Sequence, residues 1–355
     1  MFYKPQKKLA VLISALAATC LLIVPGCGSD SSSDTTEALS TTTMAVATTT
    51  TVAPTTTTVA PEPVEKPLIV VTTNILGDVV SKAVGELFDV ETIMPPGADP
   101  HVFQASAKQV DRMMKADLLV VNGANFEEGL LDVIKGAESD GVKVFEAMNS
   151  VDPLEDHDEE GHDDHEGHDD HHGHDHGGVD PHFFTDPGRM AQVVNQLSDF
   201  LVLNFPEIDG EDLVSHMADY SKKLTDLDSE VMQTLSSIPE SSRVLVTNHE
   251  VFAYFAESYD FKILGTIIPS PSTLSNASAK DLVDLAEEMK AEGVLAVFVD
   301  SSSSDALADA LAGELDGVAV VTLFSESLGP EDSAGSTYLD MVRTNSELIA
   351  SALTG

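Results

Sequence analysis

The chain has 355 residues, enough for about two domains of ordinary size. Its 60 acidic side chains far outnumber its 18 basic ones, and its formal net charge is -42. Phosphate backbones and anionic lipid surfaces repel such a charge, because binding to them depends on lysine and arginine. The composition therefore excludes nucleic acid as a partner and favours metal cations.

The N-terminus has the pattern of a bacterial export signal. Three lysines precede an apolar run from Leu9 to Val24, and the segment Val24-Pro25-Gly26-Cys27 resembles a lipobox. We expect a signal peptide over residues 1–26 and a lipid on Cys27, which would anchor the protein at the outer face of the cell membrane. The alternative is an uncleaved signal anchor. Both place the body of the protein outside the cytoplasm.

The cysteine content restricts the kind of metal site that the chain can form. Cys20 lies in the expected signal peptide, and Cys27 would carry the lipid. The folded part then has no thiol, so nitrogen and oxygen must bind any metal. Residues 28–67 are rich in Ser, Thr, Pro and Ala, which predicts a disordered tether after the lipidated cysteine.

Beyond Pro67 the sequence alternates short apolar runs with amphipathic stretches, the pattern of a parallel α/β fold. We expect two α/β lobes, each with a parallel sheet flanked by helices, over residues 68–210 and 238–355. The predicted strands are Leu68 to Thr73, Val90 to Met94, Leu118 to Asn122 and Val142 to Phe145, then Val244 to Thr247, Lys262 to Ile267, Leu295 to Val299 and Val318 to Leu323.

One long helix is predicted between the lobes, over residues 211–237. Its apolar residues recur at spacings of three and four and form a single stripe, and the helix would be about 40 Å long. Such a helix would join the lobes rigidly, so that any closing movement would be small.

A segment rich in histidine and acidic residues interrupts the first lobe at residues 152–180. It contains thirteen acidic residues and no Lys or Arg, which predicts a disordered surface loop. Imidazoles bind borderline metals such as Zn(II), so we expect auxiliary low-affinity metal sites here; the alternative is a merely solvating acidic loop. The histidines are His157, His162, His165, His168, His171, His172, His174 and His176.

Three of the four other histidines follow predicted strands or turns. His101 and His249 come after strands, and His182 lies in a proline-stiffened turn. Ligands of open parallel sheets bind beyond the carboxyl ends of the strands, so these imidazoles are candidates for one metal site. His216 lies within the long helix and is interpreted as a surface or packing residue.

Three imidazoles need one anionic ligand to complete a tetrahedral shell around a divalent ion. Two carboxylates follow later strands, Asp300 and Glu326, and both are candidates. The alternative for each of these two residues is a solvated loop carboxylate with no role at a metal site.

The chain contains a series of motifs whose sequence and order resemble those of the zinc and manganese solute-binding lipoproteins of ABC-type metal uptake systems. The resemblance covers residues 68–353. Its motifs are Thr72-Thr73-Asn74-Ile75 with Asp78, Gly97-Ala98-Asp99-Pro100-His101, Ala124-Asn125-Phe126-Glu127, the histidine-rich segment, Asp180-Pro181-His182, Asn248-His249 with Phe252, Tyr254 and Phe255, and Leu323-Phe324-Ser325-Glu326-Ser327-Leu328.

The resemblance implies that His101, His182, His249 and Glu326 bind the metal. The family usually has Asp at the last position, so Glu326 differs by one methylene and Asp300 remains an alternative. The resemblance also implies two α/β lobes joined by a long helix, with the metal between them. Three imidazoles and one carboxylate favour Zn(II) as the transported ligand, and Mn(II) is the alternative.

The implied function is capture of Zn(II) outside the cytoplasm and its delivery to an ABC-type permease in the membrane, by a lipid-anchored monomer. We do not expect an enzyme, because four protein ligands leave no open position on the metal. Two other classes were weighed. One is a zinc hydrolase with Glu326 as general base, although HExxH is absent. The other is a surface adhesin, which would share the lipid tether.

Overall fold

The computed structural model describes residues 65–154 and 178–354. They belong to one compact unit that spans residues 63–355. The predictions for the signal peptide, Cys27, most of the tether and the eight histidines from His157 to His176 lie outside the described residues.

The first lobe contains a parallel sheet of four strands in the order β2-β1-β3-β4. The strands are β1 (Leu68–Val71), β2 (Asp89–Thr92), β3 (Leu118–Val121) and β4 (Lys143–Glu146). The helices of this lobe are α1 (Asn74–Val84), α2 (Ala107–Met114), α3 (Leu131–Ser139) and α4 (Pro187–Asn204).

The central strands β1 and β3 are short runs of Leu, Ile and Val that are buried almost throughout. A parallel sheet covered on both faces requires such continuous apolar strands. The helices beside them begin at residues that cap backbone amides. The side chain of Thr73 accepts a hydrogen bond from Leu76 N, and Ser106 forms a capping box with Gln109.

The second lobe repeats this topology, with strands in the order β6-β5-β7-β8, all parallel. In both sheets the strand order reverses direction next to the first strand of the lobe, and ligands of α/β sheets bind beyond the carboxyl ends at that position. The elements are β5 (Val244–Thr247), β6 (Lys262–Thr266), β7 (Ala296–Asp300), β8 (Ala319–Leu323), α6 (Ala253–Tyr259), α7 (Ala279–Glu292), α8 (Ala306–Gly313) and α9 (Tyr338–Leu353).

The long helix α5 (Gly210–Leu235) lies between the lobes in the sequence. Asp209 caps its N-terminus by accepting hydrogen bonds from two backbone amides. Its apolar stripe, which includes Leu213, Leu224 and Val231, is buried. Helix α5 packs against α4 and α1 of the first lobe and against α9 of the second, so one stripe contributes to the core of both.

None of the helices in the described part of the chain is long and apolar enough to cross a lipid bilayer.

The predicted architecture of two α/β lobes, each with a parallel sheet flanked by helices, is confirmed. The strand boundaries differ from prediction by at most two residues at either end, and those of β5 agree at both ends. The ends of the predicted loop also differ. Asp180 is buried, and its backbone amide donates to Leu154 O at 3.2 Å, so both ends of the histidine-rich segment belong to the folded lobe.

Candidate metal centre

Four side chains converge at the carboxyl ends of the two sheets: His101, His182, His249 and Glu326. Each offers one donor atom, and these atoms lie within 4.8 Å of one another. All four residues are buried, and the most exposed of them, His101, retains only 3% of its accessible surface. Nitrogen and oxygen donors in this number and spacing fit a divalent metal ion.

The first lobe supplies two of the imidazoles through two copies of the same tripeptide. His101 lies in a loop beyond β2 and His182 precedes a 3-10 turn at Phe183–Thr185, and each follows Asp-Pro. In both copies the aspartate accepts a hydrogen bond of 2.9 Å from the backbone amide of the histidine. This local bond and the rigid proline fix the backbone of each histidine.

The second lobe supplies the other two donors. His249 comes two residues after β5, and its carbonyl oxygen accepts a hydrogen bond of 2.7 Å from the hydroxyl of Thr247. Glu326 comes three residues after β8. The site therefore draws equally on both lobes, with two donors from each.

The carboxylate of Glu326 lies close to all three imidazoles, at distances near those between two ligands of one zinc ion. Oε1 of Glu326 lies 3.0 Å from Nε2 of His249 and 3.2 Å from Nε2 of His182. Oε2 of Glu326 lies 3.3 Å from Nε2 of His101. Ligands at zinc bond lengths of about 2.0–2.1 Å in a tetrahedron are about 3.3 Å apart.

Several of these atoms are buried without a hydrogen-bond partner among the described residues. They include Nε2 of His101, Nε2 of His182 and Oε2 of Glu326, three atoms that point toward a shared centre. Leaving buried polar atoms without partners costs about 1–3 kcal/mol each. A metal ion bound between them would remove this cost, so the donor set fits a metal.

Two of the imidazoles are oriented by carboxylates on the side away from the centre. Nδ1 of His182 lies 2.7 Å from Oδ1 of Asp180, and Nδ1 of His101 lies 3.2 Å from Oε1 of Glu128. Ionised carboxylates only accept hydrogen bonds, so Nδ1 carries the hydrogen in both rings. In the neutral ring the lone pair is then on Nε2, which is the tautomer that binds a metal.

The electrostatics of the centre favour a charged carboxylate. Burial alone would raise the pKa of Glu326, but the facing His182 and His249 hold it well below its usual range. Burial likewise opposes a charge on His182, whereas the carboxylates of Glu326 and Asp180 raise its pKa to about 10. Without a metal, the anionic Glu326 therefore faces a His182 that holds its proton firmly, and a metal ion bound here would take the place of that proton.

Aromatic side chains enclose the centre. The ring of Phe126 lies 5.0 Å from that of His101 and 5.5 Å from that of His182, edge to face, and Phe184 packs against both Phe126 and His182. Both phenylalanines are buried. Their low polarity strengthens the attraction between the donors and a cation.

Comparison of the chain with known proteins shows the family to which it belongs. A family model described as ZnuA, zinc-uptake complex component A periplasmic, matches residues 69–352. The chain belongs to the ZnuA family. The resemblance to zinc and manganese solute-binding proteins of ABC-type uptake systems is thereby confirmed.

Relatives with assigned names are similar over most of their length. Zinc-binding protein TroA of Treponema pallidum (strain Nichols) is 29% identical over 293 residues, which are 81% of this chain and 89% of TroA. Manganese-binding lipoprotein MntA of Bacillus subtilis (strain 168) is 28% identical over 294 residues, 80% of this chain and 89% of MntA.

Solved structures show the same fold. The periplasmic zinc-binding protein TroA from Treponema pallidum superposes with a TM-score of 0.69 at 27% identity and covers 82% of this chain and 100% of its own. A Mn-bound periplasmic metal-binding protein from Candidatus Liberibacter asiaticus has a TM-score of 0.70 at 20% identity and covers 81% and 100%. The second likeness concerns the fold alone.

In this member of the ZnuA family, Asp300 does not join the four donors. Its Oδ2 accepts hydrogen bonds from the backbone amides of Ser325 and Glu326, at 2.9 Å each, and from the hydroxyl of Ser325 at 2.7 Å. The other oxygen accepts from Ser302 N at 2.7 Å. Asp300, the alternative fourth ligand in the sequence analysis, instead holds the backbone that carries Glu326.

Asn74 attaches the same loop to the first lobe. Its side-chain oxygen accepts a hydrogen bond of 2.7 Å from Leu328 N, and its amide nitrogen donates to the hydroxyl of Ser327 at 2.8 Å. Sequence reasoning did not assign a role at the site to Asn74, Asp180 or Glu128. The repeated Asp-Pro-His tripeptide was the available signal for Asp180.

The fourth remaining histidine, His216, lies on α5 and is about half exposed, with Nδ1 2.9 Å from the carbonyl oxygen of Asp212. It takes no part in the centre. The eight histidines of the auxiliary sites, His157 to His176, lie outside the described residues, so their prediction remains a prediction.

Proposed function

We propose that the protein captures Zn(II) between its two lobes, outside the cytoplasm, and delivers it to an ABC-type permease. The observation that carries this proposal is the buried set of three imidazoles and one carboxylate. His101, His182, His249 and Glu326 are the proposed ligands. Membership of the ZnuA family and the names of its relatives support the transport role.

Zinc is proposed as the physiological metal because of the ligand chemistry. Three imidazoles and one carboxylate suit tetrahedral Zn(II), whereas Mn(II) favours more oxygen ligands. Relatives of similar identity are named for zinc and for manganese, so family membership alone does not choose between them. Mn(II) is the second candidate within the same function.

The proposed role is binding and release rather than catalysis. Four protein ligands would close the coordination shell of zinc, whereas catalytic zinc sites keep one position for water. A hydrolase would also need a general base beside that water, and Glu326 is already directed at the three imidazoles. We therefore propose that the protein is not an enzyme.

The organisation of the remaining chain is part of the proposal. A signal peptide over residues 1–26, a lipid on Cys27 and a tether to residue 67 would place the two lobes at the outer face of the membrane. Several relatives carry the word lipoprotein in their names, which supports the anchor. The lobes, proposed as residues 68–210 and 238–355 around a connecting helix at 211–237, would act as a monomer.

The histidine-rich segment is proposed to bind zinc weakly and raise its concentration near the centre. Both described ends of this segment, Leu154 and Asp180, are close to the centre, since Asp180 contacts His182. Metal released from the segment would therefore be near the donors.

Calorimetric zinc titration of the purified protein tests the main proposal. We expect one tight site per chain, and we expect His182→Ala and His249→Ala to weaken it by at least about 100-fold, since each removes one of four ligands. His216→Ala is the matched control, because this histidine lies outside the centre. Unchanged tight binding in both ligand variants contradicts the proposal.

A further inference from the structure

One loop of the second lobe, residues 270–275, contacts the first lobe through two carboxylates, and both carboxylates also contact His101. This arrangement concerns the stability of the closed site rather than the identity of the ligands. The inference drawn from it rests on the proposed function, because it assumes that His101 binds the metal.

Glu128 is the first of the two carboxylates. Its Oε1 lies 3.2 Å from Nδ1 of His101 and accepts a hydrogen bond from the hydroxyl of Ser272. The side chain of Glu128 is 33% exposed, in contrast to the 2% of His101. One oxygen atom thus joins a buried imidazole of the first lobe to a hydroxyl of the second lobe at the surface.

Asp99 is the second carboxylate, and it connects the backbone of His101 to the same loop of the second lobe. Its Oδ1 accepts from the backbone amide of His101 at 2.9 Å, and its Oδ2 accepts from the hydroxyl of Thr273 at 2.8 Å. Ser272 and Thr273 are neighbours in the sequence. Glu128 and Asp99 therefore connect the ring and the backbone of His101 to consecutive hydroxyls of one loop.

The loop also borders a cleft next to one of the four donors. A cleft of about 290 Å³ beside His101 is lined by Glu128, Pro271 and Ser272, together with Phe126, Val179 and Pro181. Of the four donors, His101 is the one that lines this cleft. The loop therefore borders the cleft that lies next to this donor.

Among the described residues, the loop is joined to its own lobe at its base, where Glu250 N donates to Ser270 O at 3.1 Å, and further hydrogen bonds run inside the loop. The hydroxyl of Ser275 donates to that of Ser270 within the loop, and Ser272 N donates to the same hydroxyl at 3.1 Å. Leu274, at the tip, is 55% exposed. The position of the loop tip therefore depends on the carboxylates of Glu128 and Asp99 in the first lobe.

We propose that Glu128 and Asp99 are positioning residues that couple His101 to the closing of the loop at residues 270–275, and so set how long the metal stays bound. When the metal fixes His101, both carboxylates are fixed with it and present acceptors to Ser272 and Thr273. Release requires these two bonds to break before His101 can turn away. The hydroxyls contribute to the dissociation rate and not to the donor set.

Zinc release from the full-length protein tests this coupling. Stopped-flow mixing of the zinc-loaded protein with an excess of chelator gives the dissociation rate, and mixing the metal-free protein with zinc gives the association rate. Ser272→Ala and Thr273→Val each remove one hydroxyl. We expect each to speed release by about tenfold, the effect of losing one hydrogen bond to a carboxylate, with the association rate changed by less than about twofold.

Matched variants separate this role from a general loss of structure. Ser275→Ala removes a hydroxyl of the same loop that bonds only within it, and we expect release at the wild-type rate. Ser272→Thr keeps a hydroxyl and should restore slow release. Glu128→Gln should speed release, and its effect should combine with that of Ser272→Ala to less than the product of the two, because both weaken the bond between Glu128 and Ser272, whereas the contact of Glu128 with His101 acts separately.

The outcomes distinguish this inference from the function on which it rests. If the wild type binds zinc tightly through the four donors but Ser272→Ala and Thr273→Val release it at the wild-type rate, the coupling is wrong and the proposed function stands. Additive effects of Glu128→Gln and Ser272→Ala also overturn the coupling. If His182→Ala and His249→Ala bind zinc as tightly as the wild type, the proposed function fails and the coupling fails with it.

Discussion

The carboxylate of Asp300 accepts a hydrogen bond of 2.9 Å from the backbone amide of Glu326, and this bond fixes the loop that presents the only carboxylate among the four donors. Asp300 itself is 1% exposed and lies at the end of β7. Its position on a strand makes it a rigid support for a ligand carried by a loop.

Replacing Asp300 with Asn should weaken zinc binding without changing the number of ligands. An amide presents one acceptor in place of two oxygens, so some of the amides and hydroxyls around it lose their partners. Loss of an outer hydrogen-bond partner typically costs 10- to 100-fold in metal affinity. X-ray absorption of the zinc-loaded variant should still report three nitrogens and one oxygen.

The control for Asp300→Asn is Asp305→Asn. Asp305 lies before α8, is exposed and makes no side-chain cap bond. Zinc affinity in this variant should equal that of the wild type. A zinc shell that loses its oxygen ligand in Asp300→Asn, with Glu326 unchanged, would mean that Asp300 is itself the ligand.

Removal of the metal should lower the thermal stability of the protein. A ligand that binds only the folded state at about 1,000 times its Kd stabilises it by about 4 kcal/mol, which corresponds to a shift in Tm on the order of 10 °C for a unit of this size. Differential scanning calorimetry with zinc and with a chelator measures it. In His182→Ala the two melting curves should nearly coincide, and a full shift there would assign the stabilisation to other sites.

Tyr254→Phe should loosen the His182 side of the centre. The hydroxyl of Tyr254 donates to the carbonyl oxygen of Asp180 at 2.9 Å and accepts from Leu154 N at 3.1 Å, so it joins the two ends of the histidine-rich segment. We expect a loss of about 1–3 kcal/mol in the free energy of unfolding, measured by urea denaturation, and a several-fold loss of zinc affinity.

The control for Tyr254→Phe is Tyr259→Phe on the same helix. The hydroxyl of Tyr259 donates to Asp228 at 2.7 Å, away from Asp180. This variant should lose a similar amount of stability and keep its zinc affinity. Equal zinc affinities in the two variants would show that the ends of the segment do not influence the centre.

The eight histidines from His157 to His176 should account for all weak zinc sites. Replacing them together with asparagine keeps the length and the acidic charge of the segment but removes the imidazoles. Equilibrium dialysis should then show a fall in stoichiometry to one zinc per chain, with the tight site unchanged. Disappearance of the tight site in this variant would assign it to the segment.

The fold was predictable because its central strands are continuous apolar runs and its long helix has a periodic apolar stripe. β1, β3 and β7 are continuous buried runs, and the apolar stripe of α5 repeats at spacings of three and four. Helices α3, α6 and α9 were not assigned from the sequence. α6 has seven residues, and its aromatic residues would suit a strand equally well, so only tertiary packing decides its structure.

The donors of the site were predictable to a greater extent than their supports. His101, His182, His249 and Glu326 follow strands or a rigid turn, and that position relative to the sheets is visible in the sequence. The positions of the residues alone did not decide between Asp300 and Glu326 as the fourth donor, because that choice depends on the direction of two side chains at neighbouring strand ends. Glu128 acts across a distance of 144 residues to Ser272, and such pairing leaves no local pattern.

Helix α5 has a consequence for how the protein loses its structure. Because its stripe is buried partly by α4 and α1 and partly by α9, neither lobe can detach without exposing apolar surface that belongs to the other. Neither half is then an autonomous folding unit. We expect heat denaturation of residues 63–355 to be a single cooperative transition. A cation bound at the carboxyl ends of the two sheets would then stabilise the whole unit against unfolding, and not only the loops around the site.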